Sequence, residues 1–246
     1  MNFIVWFFTI ILYQPMLSLL IWLYGLIGNF GIAIIILTLI IKILLHPLNK
    51  KAIESQKNMA ELQPKINELQ NKYKDNKEKQ AAEMIKLYKE EKFNPFAGIL
   101  LLFIQLPILI ALYQVFQNGM DLVKIKEMLY PFINLPQVIY PYFISFQSGT
   151  NLIEILDLSK ANIYLAALAG VAQYFQIKTA TPPIPKQEGP IDTMGEVSSM
   201  MQKQMVYFVP LLTFFILFRL PSALGLYWIV TAIISIFEQK RLFKKK

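Results

Sequence analysis

Apolar positions in this chain come in long blocks, and polar positions gather between them. A hydrocarbon core about 30 Å thick takes about 20 helical residues to cross. Blocks at 30–48, 95–117, 161–177, 205–219 and 220–237 predict five transmembrane helices. The fold class is therefore an all-α polytopic membrane protein. Residues 1–29 are also apolar, but Gln14, Ser18, Gly25 and Asn29 recur at helical spacing and give a weak polar stripe. Only Gly28 and Asn29 separate this stretch from the next block, which is tight for two antiparallel spans. It is read as an N-terminal external interfacial helix, with an extra span as the alternative. A signal peptide fits poorly, because no basic residue precedes the run and no small-residue cleavage site follows it.

The polar stretch 49–94 has a periodicity of its own. Leu62, Ile66, Leu69 and Tyr73 form a narrow seam, and Ala81, Met84 or Ile85, and Tyr88 form a second after a polar turn. Complementary seams predict a cytoplasmic helical hairpin with arms about 30 Å long. Pro47 is expected to close the first span. The remaining connections are an external segment at 118–160, a cytoplasmic loop at 178–204 and a basic cytoplasmic tail at 238–246. The last three spans have only about 14–17 apolar residues, about 21–26 Å of helix, so snorkelling flanks or a thinned bilayer are expected beside them.

Charge assigns the sides. Residues 42–92 carry twelve lysines against eight acids, and 238–246 carry five basic residues against one acid. Between 119 and 159 the balance reverses, with two lysines against four acids. Basic loops stay in the cytoplasm, so the N-terminus is expected outside and the C-terminus inside. Composition agrees: 55% of residues are hydrophobic and 16% charged, against about 25% charged in ordinary soluble chains. There is no cysteine and a single histidine, His46, and no nucleotide, dinucleotide or zinc-protease motif. No cofactor, metal or bond-breaking chemistry is expected, and no sequence-specific nucleic acid partner.

One residue breaks the pattern. Lys42 follows twelve uncharged residues, 30–41, inside the first span. A lysine at mid-bilayer costs about 2.5–3.5 kcal/mol by insertion scales, so snorkelling, water or a partner must offset it. No acid falls inside any predicted span, which leaves a transient counter-ion. Thr38 shares the helix face of Lys42. Gln105, Gln114 and Gln117 in the second span, Gln173 and Gln176 in the third, and Tyr227, Trp228, Thr231 and Ser235 in the fifth could line the same hydrated cavity. Taken one at a time, each glutamine is as well explained by an interhelical hydrogen bond. Tyr227 and Trp228 could be ordinary packing, and His46 an interface residue.

Four stretches stand in order along the chain: "LQPKI" at 62–66, "LYKEEKFNPFAG" at 87–98, "IQLPILIALY" at 104–113 and "FRLPSALGLYWIV" at 218–230. With them the chain resembles the YidC/Oxa/Alb family of membrane protein insertases from about residue 13 to 243. The resemblance implies a short bacterial form without a large external domain. It also implies a groove open to cytoplasm and lipid, closed to the outside, and holding one basic residue. Lys42 matches that position, where the family usually has arginine. Thr38, Gln176, Tyr227 and Trp228 match groove or substrate-contacting positions, and Gln105 joins them as a polar lining residue.

The implied function is a membrane protein insertase and chaperone. It would move client transmembrane segments and short polar tails from the cytoplasm into the bilayer of the bacterial inner membrane. Nascent membrane proteins and the lipid bilayer are the expected partners, with the ribosome and Sec translocon as further candidates. The short tail argues against strong ribosome tethering. A small transporter or channel is the alternative; it would need a continuous pore or repeated halves and usually coupling acids. A scaffold that recruits cytoplasmic proteins through the hairpin is a third reading.

Overall fold

The computed structural model describes residues 3–74, 76–91, 97–118, 129–130, 157–180 and 193–244. Its elements are helical: α1 (Phe3–Phe8), a π-helical turn (Thr9–Tyr13), α2 (Gln14–Ile27), α3 (Phe30–Lys72), α4 (Lys77–Glu90), α5 (Ala97–Asn118), α6 (Ile163–Ala180), α7 (Thr193–Leu217) and α8 (Ser222–Lys244). Val5–Ile27, Phe30–Ser55 and Ser222–Phe243 are long and apolar enough to cross a membrane. Gln105–Phe116 and Val206–Leu217 are shorter apolar helical stretches. The chain is an all-α, multi-span membrane protein.

The core lies where α2, α3, α5, α6 and α8 meet. Leu17, Leu20, Ile21, Ile34, Leu37, Leu112 and Leu224 are fully buried within it. Small residues let α6 approach its neighbours, since Ala166, Ala169 and Gly170 are buried. A Cβ added at Gly170 would stand 3.1 Å from the Pro210 carbonyl oxygen of α7, and one at Gly225 would stand 3.4 Å from Leu165 Cβ.

The amino-terminal helix departs from its expected stripe. Ser18 is turned into the core, where its hydroxyl accepts from the Tyr130 N–H at 3.4 Å, while Asn29 caps α3 by accepting from the Ile32 N–H at 3.1 Å. The turn that looked too tight is made by Gly28 in the left-handed region, φ 71°, closing α2 with a bond to the Tyr24 carbonyl. By length and composition Val5–Ile27 satisfies the requirement of a span, the alternative reading of this stretch.

Pro47 does not end the helix that carries the first span. α3 runs unbroken through Pro47 and Pro64 to Lys72, so the span and the first hairpin arm are one helix of 43 residues. Proline removes one N–H and crowds the carbonyl four residues back, a local loss that the flanking turns carry. Where α3 and α4 meet, Leu62 and Ile66 are buried and Met84 and Tyr88 half-buried, while Gln80 is buried and Ala81 and Ile85 are exposed. Gln80 donates to the Gln70 carbonyl at 3.0 Å, so a polar side chain fills a seam position by satisfying a backbone acceptor. Asn76 caps α4 by accepting from the Lys79 N–H, and Lys65 bonds Glu91 across the base of the hairpin. That carboxylate raises the Lys65 ammonium above its ordinary value.

The other boundaries move outward. The loop assigned to 178–204 is helical at 178–180 and 193–204. α8 continues past residue 237 to Lys244, and Ser222–Phe243 is long and apolar enough to cross a membrane. Its amino-terminal end is stoppered by residues 157–160. The Ser222 and Ala223 N–H groups donate to the Lys160 and Leu158 carbonyls at 2.9 and 3.0 Å, and the Ser222 hydroxyl donates to the Asp157 carbonyl. Free N–H groups at a helix start need such partners, and here they bind Leu158 into the core. Partial burial pushes the Asp157 carboxyl up, but hydrogen bonds from Ser159 and Lys160 outweigh it and hold the group below its ordinary value.

Candidate groove between α3 and α8

α8 is the hub of the polar contacts. Tyr227 and Trp228 lie about 10–12 Å from Ser235 along its axis, and the three residues meet three different neighbours. On the α5 side Gln105 donates to the Tyr227 hydroxyl at 2.6 Å. On the α6 side the Trp228 indole N–H donates to Gln173 Oε1 at 2.5 Å. On the α3 side Lys42 Nζ donates to Ser235 Oγ at 2.8 Å. The ammonium therefore reaches across to a neighbouring helix, where a snorkelling lysine would run along its own helix toward the interface.

The stripe holding Lys42 opens in one direction. Ile34 and Thr38 are each 0% exposed, Lys42 is half-buried, and His46 is exposed. Burial at the Ile34 end follows from the core beneath the 157–160 stopper; exposure at the His46 end follows from α3 leaving the bundle toward α4. Thr38 is sealed off at the closed end. Its hydroxyl donates to the Ile34 carbonyl at 2.7 Å, one turn back, so it offers no free donor to the open side.

His46 is more than an interface residue. Its Nδ1 donates to Glu238 Oε1 at 2.8 Å, one turn beyond Lys42 on α3 and one turn beyond Ser235 on α8. Glu238 had been assigned to the tail, one position past the predicted span. In the structure it sits inside the helix interface, close enough for its field to reach Lys42. The expectation that no acid falls inside a span is thus corrected, since the stretch Ser222–Phe243 includes Glu238. Three further atoms here, Asn49 Nδ2, Glu238 Oε2 and Gln239 Oε1, are buried with no hydrogen-bond partner among the described residues. Left dry, each would cost about 1–3 kcal/mol, so the lower half of this interface suits water or polar guests.

Of the residues expected to share one cavity, the structure brings Lys42 to Ser235, Gln105 to Tyr227, and Trp228 to Gln173. The side chain of Gln176, three residues beyond Gln173 on the same helix, makes no hydrogen bond to a described residue. Gln114 is half-buried in α5, and the side chain of Gln117 lies outside the described set. Sequence reading missed Glu238 because it ended the helix with the apolar run. The i, i+3 relation to Ser235 was the available signal.

Comparison with known proteins places this arrangement. A family model described as "60Kd inner membrane protein" matches residues 22–246. Among curated proteins, the membrane protein insertase YidC of Treponema denticola is 36% identical over 220 residues, 88% of this chain and 34% of that one. The YidC of Haemophilus influenzae is 31% identical over 233 residues, 94% of this chain and 36% of that one. The chain thus spans about a third of the length of these relatives. A crystal structure of active YidC insertase with its first transmembrane domain resolved superposes with a TM-score of 0.59 and 28% identity, over 92% of this chain and 44% of that one. Four ordered motifs, the helical bundle with its hairpin and these matches agree: this multi-pass inner membrane chain belongs to the YidC/Oxa/Alb family.

Proposed function

We propose that the chain is a membrane protein insertase in which the α3–α8 interface receives the polar part of a client from the cytoplasm. The observation that carries this is the position of Lys42. Its ammonium stands at the point where a sealed interface opens, and its direct partner is a neutral hydroxyl. A client carboxylate can compete with a hydroxyl for an ammonium, because charge-assisted hydrogen bonds are about twice as strong as neutral ones. The closed outer end keeps the groove from becoming a pore, which disfavours a channel. Client helices then leave sideways along the exposed apolar faces toward lipid. No bond is made or broken, and nothing in the cycle requires a nucleotide or metal. The hairpin, with its mixed charge, is the capture surface for nascent chains and for the ribosome or translocon.

The orientation follows from charge. The hairpin and C-terminus face the cytoplasm, and residues 118–160 face the outside. Cysteines replacing Lys77 in the hairpin and Lys160 in the stopper, both exposed, are expected to react with an impermeant thiol reagent from opposite sides of the membrane. Labelling of both from one side would overturn the topology. A photocrosslinker at Trp228, and another at Ser235, should capture a stalled nascent client, whereas one at the lipid-facing Tyr164 should give much less. Equal capture at all three sites would count against a groove.

A further inference from the structure

We infer that Glu238 is the resident counter-charge of the Lys42 groove, that His46 holds it aside, and that this pair sets how strongly the groove favours acidic clients. The inference rests on the insertase reading and adds a selectivity device to it. The four side chains form two rungs between α3 and α8: Lys42 to Ser235 at 2.8 Å, then His46 to Glu238 at 2.8 Å. His46 follows Lys42 by four residues and Glu238 follows Ser235 by three, so both rungs lie on facing stripes. Glu238 uses one oxygen on His46, and its other oxygen is buried with no partner among the described residues. Its side chain is 15% exposed while that of His46 is 55% exposed, so the acid belongs to the interface and the imidazole to its mouth.

A carboxylate so placed has two available states. Bonded to His46, it leaves the ammonium on a hydroxyl that a client acid can displace. Freed from His46, it can swing back one turn along α8 and pair with Lys42 directly, which fills the position a client acid would take. Glutamate has the reach for such an i, i+3 shift, and the buried charge has every reason to take the nearest cation. His46 is therefore a positioning residue: it acts on clients only through Glu238.

The test compares reconstituted full-length variants on two clients that differ only in an acidic or neutral tail, and reads the acidic-to-neutral insertion ratio. His46→Ala is expected to lower that ratio about three- to tenfold, the scale of one partly shielded charge pair. Glu238→Gln should raise it above wild type. The double variant His46→Ala/Glu238→Gln should recover at least the wild-type ratio, which a folding defect at His46 would not do. His46→Gln keeps an N–H donor for the carboxylate and should stay near wild type. In a Lys42→Ala background, His46→Ala should produce no further change. An unchanged ratio in His46→Ala, or a loss that the double variant fails to recover, would overturn the inference. If Lys42→Ala alone leaves the ratio at the wild-type value, the underlying charge reading fails; if it lowers the ratio while the His46 and Glu238 variants do nothing, only this inference fails.

Discussion

Lys42→Glu is expected to cut insertion of acidic-tailed clients by about tenfold to a hundredfold relative to matched neutral-tailed clients, and Lys42→Ala by about tenfold. A carboxylate about 4 Å from an ammonium gains roughly 4 kcal/mol at an effective dielectric near 20. Desolvation of both charges offsets much of this and leaves about 1–3 kcal/mol, which is that range of factors. Glutamate adds repulsion to the loss, and it stands opposite Glu238 as well. Lys42→Arg retains the charge and can hold a carboxylate through two parallel bonds, so its insertion should equal or exceed wild type. Neutral clients should suffer less in every variant, because their passage draws on polar lining and water more than on charge. The check is a reconstituted insertion assay at matched protein levels. Equal loss for both clients, or no loss for either, would remove Lys42 from any electrostatic role and return the scaffold reading.

Gly170→Leu is expected to disrupt the bundle more than any change at the groove. The first added carbon would stand 3.1 Å from the Pro210 carbonyl oxygen and 3.5 Å from Phe214 Cβ. A backbone oxygen held inside a helix cannot swing away as a side chain can, so α6 and α7 must part. Overpacking of this kind costs about 1–3 kcal/mol. It should also move Gln173, one turn along α6, away from the Trp228 indole. Thermal unfolding in detergent should show a clear fall in Tm, and Trp228 fluorescence should shift with loss of its hydrogen bond. Val171→Leu, at an exposed neighbouring position, should leave both unchanged. If the two variants behave alike, close approach of α6 and α7 is not what holds this corner.

Much of the architecture was legible because membrane burial writes itself as uninterrupted apolar runs. The hairpin seam at Leu62 and Ile66 could be read for the same reason, since a narrow contact repeats at fixed spacing. What failed were inferences from single residues. Pro47 looked like a stop, yet a proline costs one hydrogen bond and a local bend, which a long helix with tertiary contacts tolerates. Gln80, a polar residue off the expected seam, buries itself by bonding the Gln70 carbonyl. Lys42 stood out because an isolated charge in an apolar run has no ordinary explanation. Glu238 did not stand out, because beside Lys240 and Arg241 it resembles any tail residue. The fold that carries it into the interface is a property of α8's continuation, which no local pattern marks. Gln173 and Gln176 are one turn apart in similar surroundings, and only the packing of α6 decides which meets Trp228.

The unbroken course of α3 has a mechanical consequence. Lys42 lies about 18 Å from one end of this rod and about 45 Å from the other, where the hairpin tip projects. A push on the tip is therefore a torque on a lever whose short arm carries the ammonium. Small angular swings far from the bilayer become sliding of Lys42 past Ser235, within a contact only one hydrogen bond deep. Pro47, five residues beyond Lys42, puts the most pliable joint of that lever immediately below the charge, so stiffening it should make the groove answer more directly to whatever the hairpin holds.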